Sequence, residues 1–255
     1  MHFIDSHAHL NDPRFYEREE EIVQRALDAG VEVIVNIGTN LRSSRRVVEL
    51  ADQFENLYAT VGLHPHEASD CTPAMLDEFR QMTELETVVA VGEVGLDFHY
   101  DNSPRPVQKT VFADFIHLAA ETDMPLVVHS REAEQATVDL MREHMADGQR
   151  AVLHCFGSDL NFARFGMERG LLFGVGGTLT FPKAGALRSI IDKVPLEQII
   201  LETDCPYLAP QPKRGKTNEP AYIPMIADEL AQLKGVDIAE VADVTTANSR
   251  AFYGL

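Results

Sequence analysis

The sequence predicts an α/β protein, a single (β/α)8 TIM barrel with extra C-terminal helices, and three observations carry that expectation. Runs rich in Val, Ile and Leu recur eight times, about every 20 to 37 residues, near Phe3, Val33, Thr60, Ala90, Val127, Leu153, Gly174 and Leu201. Most are continuously apolar, as parallel strands buried on both faces are, and do not alternate as half-exposed strands do. The segments between them repeat with a helical period, and no composition shift or low-complexity linker divides the 255 residues, a common length for one such barrel. One domain spanning 1–255 follows. A doubly wound open sheet is the alternative for the same order of elements.

The helical segments can be placed in turn. Val47, Leu50, Ala51 and Phe54 fall on one face at i, i+3, i+4 and i+7. Thr72-Pro73 reads as a cap followed by proline at the first helical position, with Leu76 and Phe79 on one side. Val111, Phe115 and Leu118 repeat the pattern, as do Ala133, Thr137, Leu140 and Met141, and Leu187, Ile190 and Ile191. Gly30 and Gly170 stand where a helix ends in a left-handed residue. The tail holds two more helices, Ile223 to Leu233 and Ile238 to Phe252, preceded by a proline-dense basic loop from Pro206 to Lys216.

Composition excludes several classes. The first residues lack a basic start and apolar run, so no signal peptide is expected, and no stretch is apolar enough to span a bilayer. Three cysteines, Cys71, Cys155 and Cys205, argue against a disulfide framework and for the cytoplasm. Twenty-two basic against forty acidic residues give a net charge of -18, which disfavours wrapping a long nucleic acid. A site that grips a few phosphates through bound cations stays open.

Chemistry-bearing residues gather at strand C-terminal ends, where barrels of this class build their active sites. His7 and His9 close the first strand, two residues apart and so facing one way. Further candidates follow the later strands: His64 and His66, Glu93 and Asp97, His129 and Arg131, His154, then Glu202 and Asp204. His129 or His154 alone is better read as a hydrogen-bonded interior residue. Burying four imidazoles with two or three carboxylates carries a desolvation cost that one or two divalent cations would offset. His64 fits a substrate contact or a place behind the ligands, Asp97 a group that orients a histidine. Arg131 and Arg214 are candidate phosphate clamps.

The motifs Asp5-Ser6-His7-Ala8-His9, Gly62-Leu63-His64-Pro65-His66, Gly92-Glu93-Val94-Gly95-Leu96-Asp97, His129-Ser130-Arg131, His154-Cys155-Phe156-Gly157, Glu202-Thr203-Asp204-Cys205-Pro206 and Arg214 through Pro220 occur in this order over nearly the whole chain. Together they resemble the TatD family of metal-dependent deoxyribonucleases, within the amidohydrolase-like barrels. The resemblance implies that His7, His9 and Asp204 hold one metal, that His129 and His154 hold a second, and that Glu93 bridges the two. It makes Asp204 the general base and implies a two-metal hydrolysis of phosphodiesters, of the 3'-5' exonuclease type, and the acidic net charge points to DNA ends or short single-stranded DNA as substrate. The two divalent ions would be Mg, Mn, Zn or Ni. Phe115 and His99 depart from the family pattern, which expects glutamine and tyrosine there, and both departures bear on substrate detail.

Two rival functions share these residues. The same centre could hydrolyse an amide, ester or lactone of a small molecule, since a metal-activated hydroxide attacks a carbonyl as well as a phosphorus. A non-catalytic metal-bearing binding module is the third reading, and a ligand set with a spare carboxylate weighs against it.

Overall fold

The computed structural model describes residues 1–255. In chain order its strands and helices are β1 (Phe3–Ala8), α1 (Glu19–Asp28), β2 (Val31–Ile37), α2 (Leu41–Gln53), β3 (Leu57–Val61), α3 (Pro73–Met82), β4 (Val88–Asp97) and α4 (Arg105–Glu121). There follow β5 (Leu126–Arg131), α5 (Glu134–His144), β6 (Ala151–Leu153), α6 (Leu160–Glu168), β7 (Leu172–Val175), α7 (Gly185–Ile191), β8 (Ile199–Leu201), α8 (Ile223–Lys234) and α9 (Ile238–Tyr253). All eight expected strands form at the expected places, and the two tail helices match their expected spans closely. No helix is long and apolar enough to cross a membrane.

The chain divides into two compact units, one of Met1–Asn36 with Cys155–Leu255 and one of Ile37–His154. In the first, β1 pairs in parallel with β2, β7 pairs in parallel with β8, and Ala8 bridges Cys205 just beyond β8. Its apolar interior includes Phe3, Ile22, Ile34 and Phe173, with Phe173 edge-on to Phe156 at 5.1 Å. Helices α8 and α9 bury Ile226, Leu230, Val241 and Phe252. The Tyr253 hydroxyl donates to the carbonyl of Ser6 at 2.9 Å, which ties the last helix to β1.

In the second unit β3, β4, β5 and β6 pair in parallel in that order. Every residue of β4 is buried, as a strand covered on both faces must be. Helix α4 packs on it and buries Val111, Phe112 and Phe115. Phe115 is fully buried and meets Phe79 of α3 edge to face at 5.3 Å. Its departure from the family pattern therefore serves packing. Thr72 caps α3 as expected, accepting from the N–H of Met75. Asn40 and Ser43 close a reciprocal capping box at the start of α2.

Candidate metal centres

In the first unit the end of β1 presents His7 and His9 with their Nε2 atoms 3.2 Å apart. Asp204, just past β8, places Oδ1 3.3 Å from His9 Nε2 and 3.8 Å from His7 Nε2. Strand pairing sets this geometry: the N–H of Asp204 donates to the carbonyl of His7, and the N–H of His9 to that of Cys205, each at 2.8 Å. Asp204 holds a φ of 54°, a left-handed value that aspartate tolerates better than most residues. Both histidines are buried, while the Asp204 side chain keeps 15% of its surface exposed.

Asp5 braces the cluster from below. Its carboxylate accepts from the backbone N–H of Thr203 at 2.9 Å, the Thr203 hydroxyl at 2.5 Å and the N–H of His7 at 3.3 Å. Burial pushes its pKa up to about 7 despite those hydrogen bonds. The Asn218 amide donates to the carbonyls of Thr203 and Tyr207, which fixes the proline-dense loop against the strand end. Glu202, also buried, accepts from the N–H of Cys155 at 2.6 Å.

In the second unit three imidazoles surround one carboxylate. Glu93 Oε1 lies 2.7 Å from His129 Nδ1, 3.6 Å from His154 Nε2 and 3.7 Å from His64 Nε2. The four side chains come from β4 and β5 and from the residues following β3 and β6. Burial drives the His64 pKa down to about 3, against the pull of Glu93, so that imidazole stays neutral. His129 goes the other way: burial would lower it, but Asp97 and then Glu93 outweigh burial and raise it.

Behind these groups Asp97, 1% exposed, stands 3.0 Å from His66 Nε2 and 3.4 Å from His129 Nε2. It also accepts from the N–H groups of His99 and Tyr100. Burial raises its pKa, but the bonds from His129, Tyr100 and His66 prevail and hold it well below the usual carboxylate range. Buried Gln108 takes the backbone N–H of Asp97 and donates to its carbonyl, pinning the end of β4.

These donor sets fit divalent cations. His7, His9 and Asp204 offer ligand atoms all within 4.8 Å of one another, and so do His64, Glu93 and His129. A neutral imidazole such as His64 supplies a lone pair, and a cation placed between Glu93 and the imidazoles would offset the charge of that buried carboxylate. His64, expected as a substrate contact, thus sits close enough to Glu93 to act as a ligand as well. Arg131, at the exposed end of β5, lays its guanidinium 4.8 Å over the Tyr100 ring, and exposed Arg214 lies 4.2 Å over Phe181. His99 pairs with Glu132 at 2.6 Å. Asp5 and Gln108 have no role that the sequence alone suggests, although Asp5 carries one signal, its i, i+2 spacing to His7, and the strand-end candidate His66 turns out to face Asp97.

Imidazoles and carboxylates at the C-terminal ends of parallel strands that alternate with helices define a metal-dependent hydrolase of the (β/α)8 class. Comparison with known proteins agrees. The family model described as TatD related DNase matches residues 4–254. Over 250 residues, 98% of each chain, the protein is 36% identical to the uncharacterized metal-dependent hydrolase YabD of Bacillus subtilis (strain 168). It is 34% identical over 257 residues, 99% of each chain, to the 3'-5' ssDNA/RNA exonuclease TatD of Shigella flexneri serotype 5b. The crystal structure of YJJV, a TatD homologue from Escherichia coli K12, matches with a TM-score of 0.93 at 32% identity, covering 99% of this chain and 98% of that one. The chain belongs to the TatD family of metal-dependent hydrolases, and the TIM-barrel fold expected from its sequence is the fold it has.

Proposed function

We propose that this hydrolase is a 3'-5' exonuclease that removes nucleotides from DNA ends or short single-stranded DNA, working as one domain over 1–255 in the cytoplasm. One divalent cation is held by His7, His9 and Asp204, and a second by Glu93, His129 and His154 with His64 beside them. Mg, Mn, Zn and Ni all remain candidates, since imidazole-rich sites suit the last three and phosphoryl chemistry commonly uses the first two. When bound, such cations polarise a phosphoryl oxygen and make water acidic enough to ionise near neutral pH.

The residues have separable tasks. Asp204 takes the proton of the attacking water, and Glu93 holds the imidazoles around it in place. Arg131 and Arg214, both exposed, steady the phosphates. The observation that carries the reading is the Asp204 carboxylate: it faces two buried imidazoles within 4 Å yet is itself partly open, as a group that exchanges protons with water must be. The acidic surface supports short or terminal substrates over long duplexes, and the name of the Shigella relative, a 3'-5' ssDNA/RNA exonuclease, supports a nucleic acid.

The test is digestion of a 5'-labelled single-stranded oligonucleotide with added Mg²⁺ or Mn²⁺, by the wild type and by Asp204→Asn. A ladder shortening from the 3' end, lost in the variant, is expected. Equal cleavage by both proteins would remove Asp204 from the chemistry, and lactones or esters turned over much faster than DNA would replace the nuclease reading. Metal content of His7→Ala and His129→Ala, each expected to lose one equivalent, checks the two-site assignment independently.

A further inference from the structure

Beside the His7, His9 and Asp204 cluster lies a feature that the hydrolytic residues do not use. The ring of Tyr207, a residue 48% exposed, stands 6.3 Å from the ring of His9, at an interplanar angle of 73°. Its orientation is fixed. The hydroxyl donates to Asp12 at 3.3 Å, Asp12 in turn accepts from Arg14 at 2.8 and 2.9 Å, and the Arg14 guanidinium lies 4.5 Å over the Tyr207 ring. Arg14 also lines a cavity of about 410 Å³ with Arg18, Arg25, Lys216, Glu21 and Glu219.

The charges around that cavity are unusual for this protein. Arg25 is spanned by Glu21 and Glu219, Arg18 pairs with Glu21 at 3.1 Å, and Arg14 with Asp12. Lys216 is exposed and enters no ion pair. Four cations therefore meet three carboxylates, a local excess of positive charge on a chain whose net charge is -18. Its position is informative too, because Arg14 belongs to both the aromatic stack and the cavity wall, making the two continuous.

We propose that Tyr207 is a stacking platform for a nucleobase next to the reacting end, and that the cavity behind Arg14 receives the phosphate that follows, with Lys216 as its free cation. The assignment deepens the exonuclease reading and rests on it. A half-exposed ring held at one angle loses little freedom when a base stacks on it, and stacking tolerates any base, as an exonuclease that steps along a strand requires. A single unpaired lysine adds one phosphate contact without attracting long duplex to an acidic surface.

The experiment measures binding of a 5'-fluorescein, phosphorothioate-linked single-stranded hexanucleotide and the matching dinucleotide to the metal-loaded protein by anisotropy. Tyr207→Ala is expected to weaken hexanucleotide binding about tenfold and Tyr207→Phe by less than about twofold, since the ring and not the hydroxyl carries the stack. Lys216→Glu should flatten the dependence of log affinity on log salt by about one contact's worth, a slope change near 0.7. Lys109→Glu, an exposed lysine on α4, is the control with wild-type binding. Unaltered hexanucleotide affinity in Tyr207→Ala, equal losses in the Ala and Phe variants, or no binding by the wild type would each overturn the platform. Cleavage of the unmodified oligonucleotide is scored separately: tight, Tyr207-dependent binding without cleavage would sink the exonuclease reading and leave the platform standing.

Discussion

The carboxylate of Asp5 takes two hydrogen bonds from Thr203, one from its backbone N–H at 2.9 Å and one from its hydroxyl at 2.5 Å. Asp5 sits two residues before His7 and Thr203 one before Asp204, so this link sets the spacing between the β1 and β8 contributions to the first cluster. Both residues are fully buried. Thr203→Val keeps the shape but removes the hydroxyl, leaving a buried carboxylate short of a donor, at a cost of about 1–3 kcal/mol. Urea unfolding should show a lower midpoint with an unchanged slope, and Thr203→Ser should recover most of the difference. A Val variant as stable as the wild type would mean that the backbone N–H alone suffices.

Asp97 offers a second test because it touches a proposed ligand without belonging to the ligand set. It lies 3.4 Å from His129 and 3.0 Å from His66. Carboxylates behind ligating histidines fix ring orientation, and their loss commonly lowers metal affinity or activity by about 10- to 100-fold. Asp97→Asn is expected to fall in that range when metal retention is measured against a competing chelator. Glu132→Gln, which alters only the exposed partner of His99, should retain metal as the wild type does. Equal retention by both variants would relegate Asp97 to holding the backbone turn after β4.

What the sequence disclosed and what it hid follow from the range of the interactions involved. Continuous apolar runs placed β4 and β5, and a Thr-Pro pair placed the start of α3, because burial on both faces and helix capping are written in neighbouring residues. The proximity of His7 to His9 was equally local. By contrast, Gln108 reaches back eleven residues to the backbone of Asp97, and glutamine in an amphipathic helix carries no mark of such a bond. His66 stands among the strand-end candidates, but 31 positions separate it from Asp97, and nothing in the neighbouring residues marks the two as partners. Phe115 looked like a departure in the substrate region, yet only the packing of α3 on α4 reveals its contact with Phe79.

Gly95 tests how tightly β4 and β5 must approach at the second cluster. It pairs with His129, and a Cβ added there would lie 2.0 Å from the His129 carbonyl oxygen, at a φ of +143°. Gly95→Ala must therefore shift backbone beside a proposed ligand, costing about 1–3 kcal/mol or more. Gly148→Ala separates the two causes: its φ is +79°, but a Cβ would meet nothing within 4 Å. That variant should lose only the conformational cost of a left-handed residue, about 1–2 kcal/mol. Denaturant unfolding should rank Gly95→Ala as the less stable of the two, with metal retention impaired in it alone; the reverse order would show that the strands can part without penalty.

Cys71 gives a prediction in pH. The half-buried thiol is pushed above its ordinary value, first by burial and then by the nearby Asp114 carboxylate, both of which disfavour the thiolate. Because the thiolate is the nucleophile, alkylation by iodoacetamide should be slow at pH 7 and rise about tenfold per pH unit for as long as the thiol stays mostly protonated. Asp114→Asn removes only the smaller of the two causes, so it should speed the reaction modestly at pH 8, by about twofold. Fully buried Cys205 should stay unmodified in the folded protein throughout that range. Peptide mass spectrometry after timed pulses distinguishes the sites. A Cys71 rate that levels off below pH 8.5 would show that neither burial nor Asp114 restrains the thiol in solution.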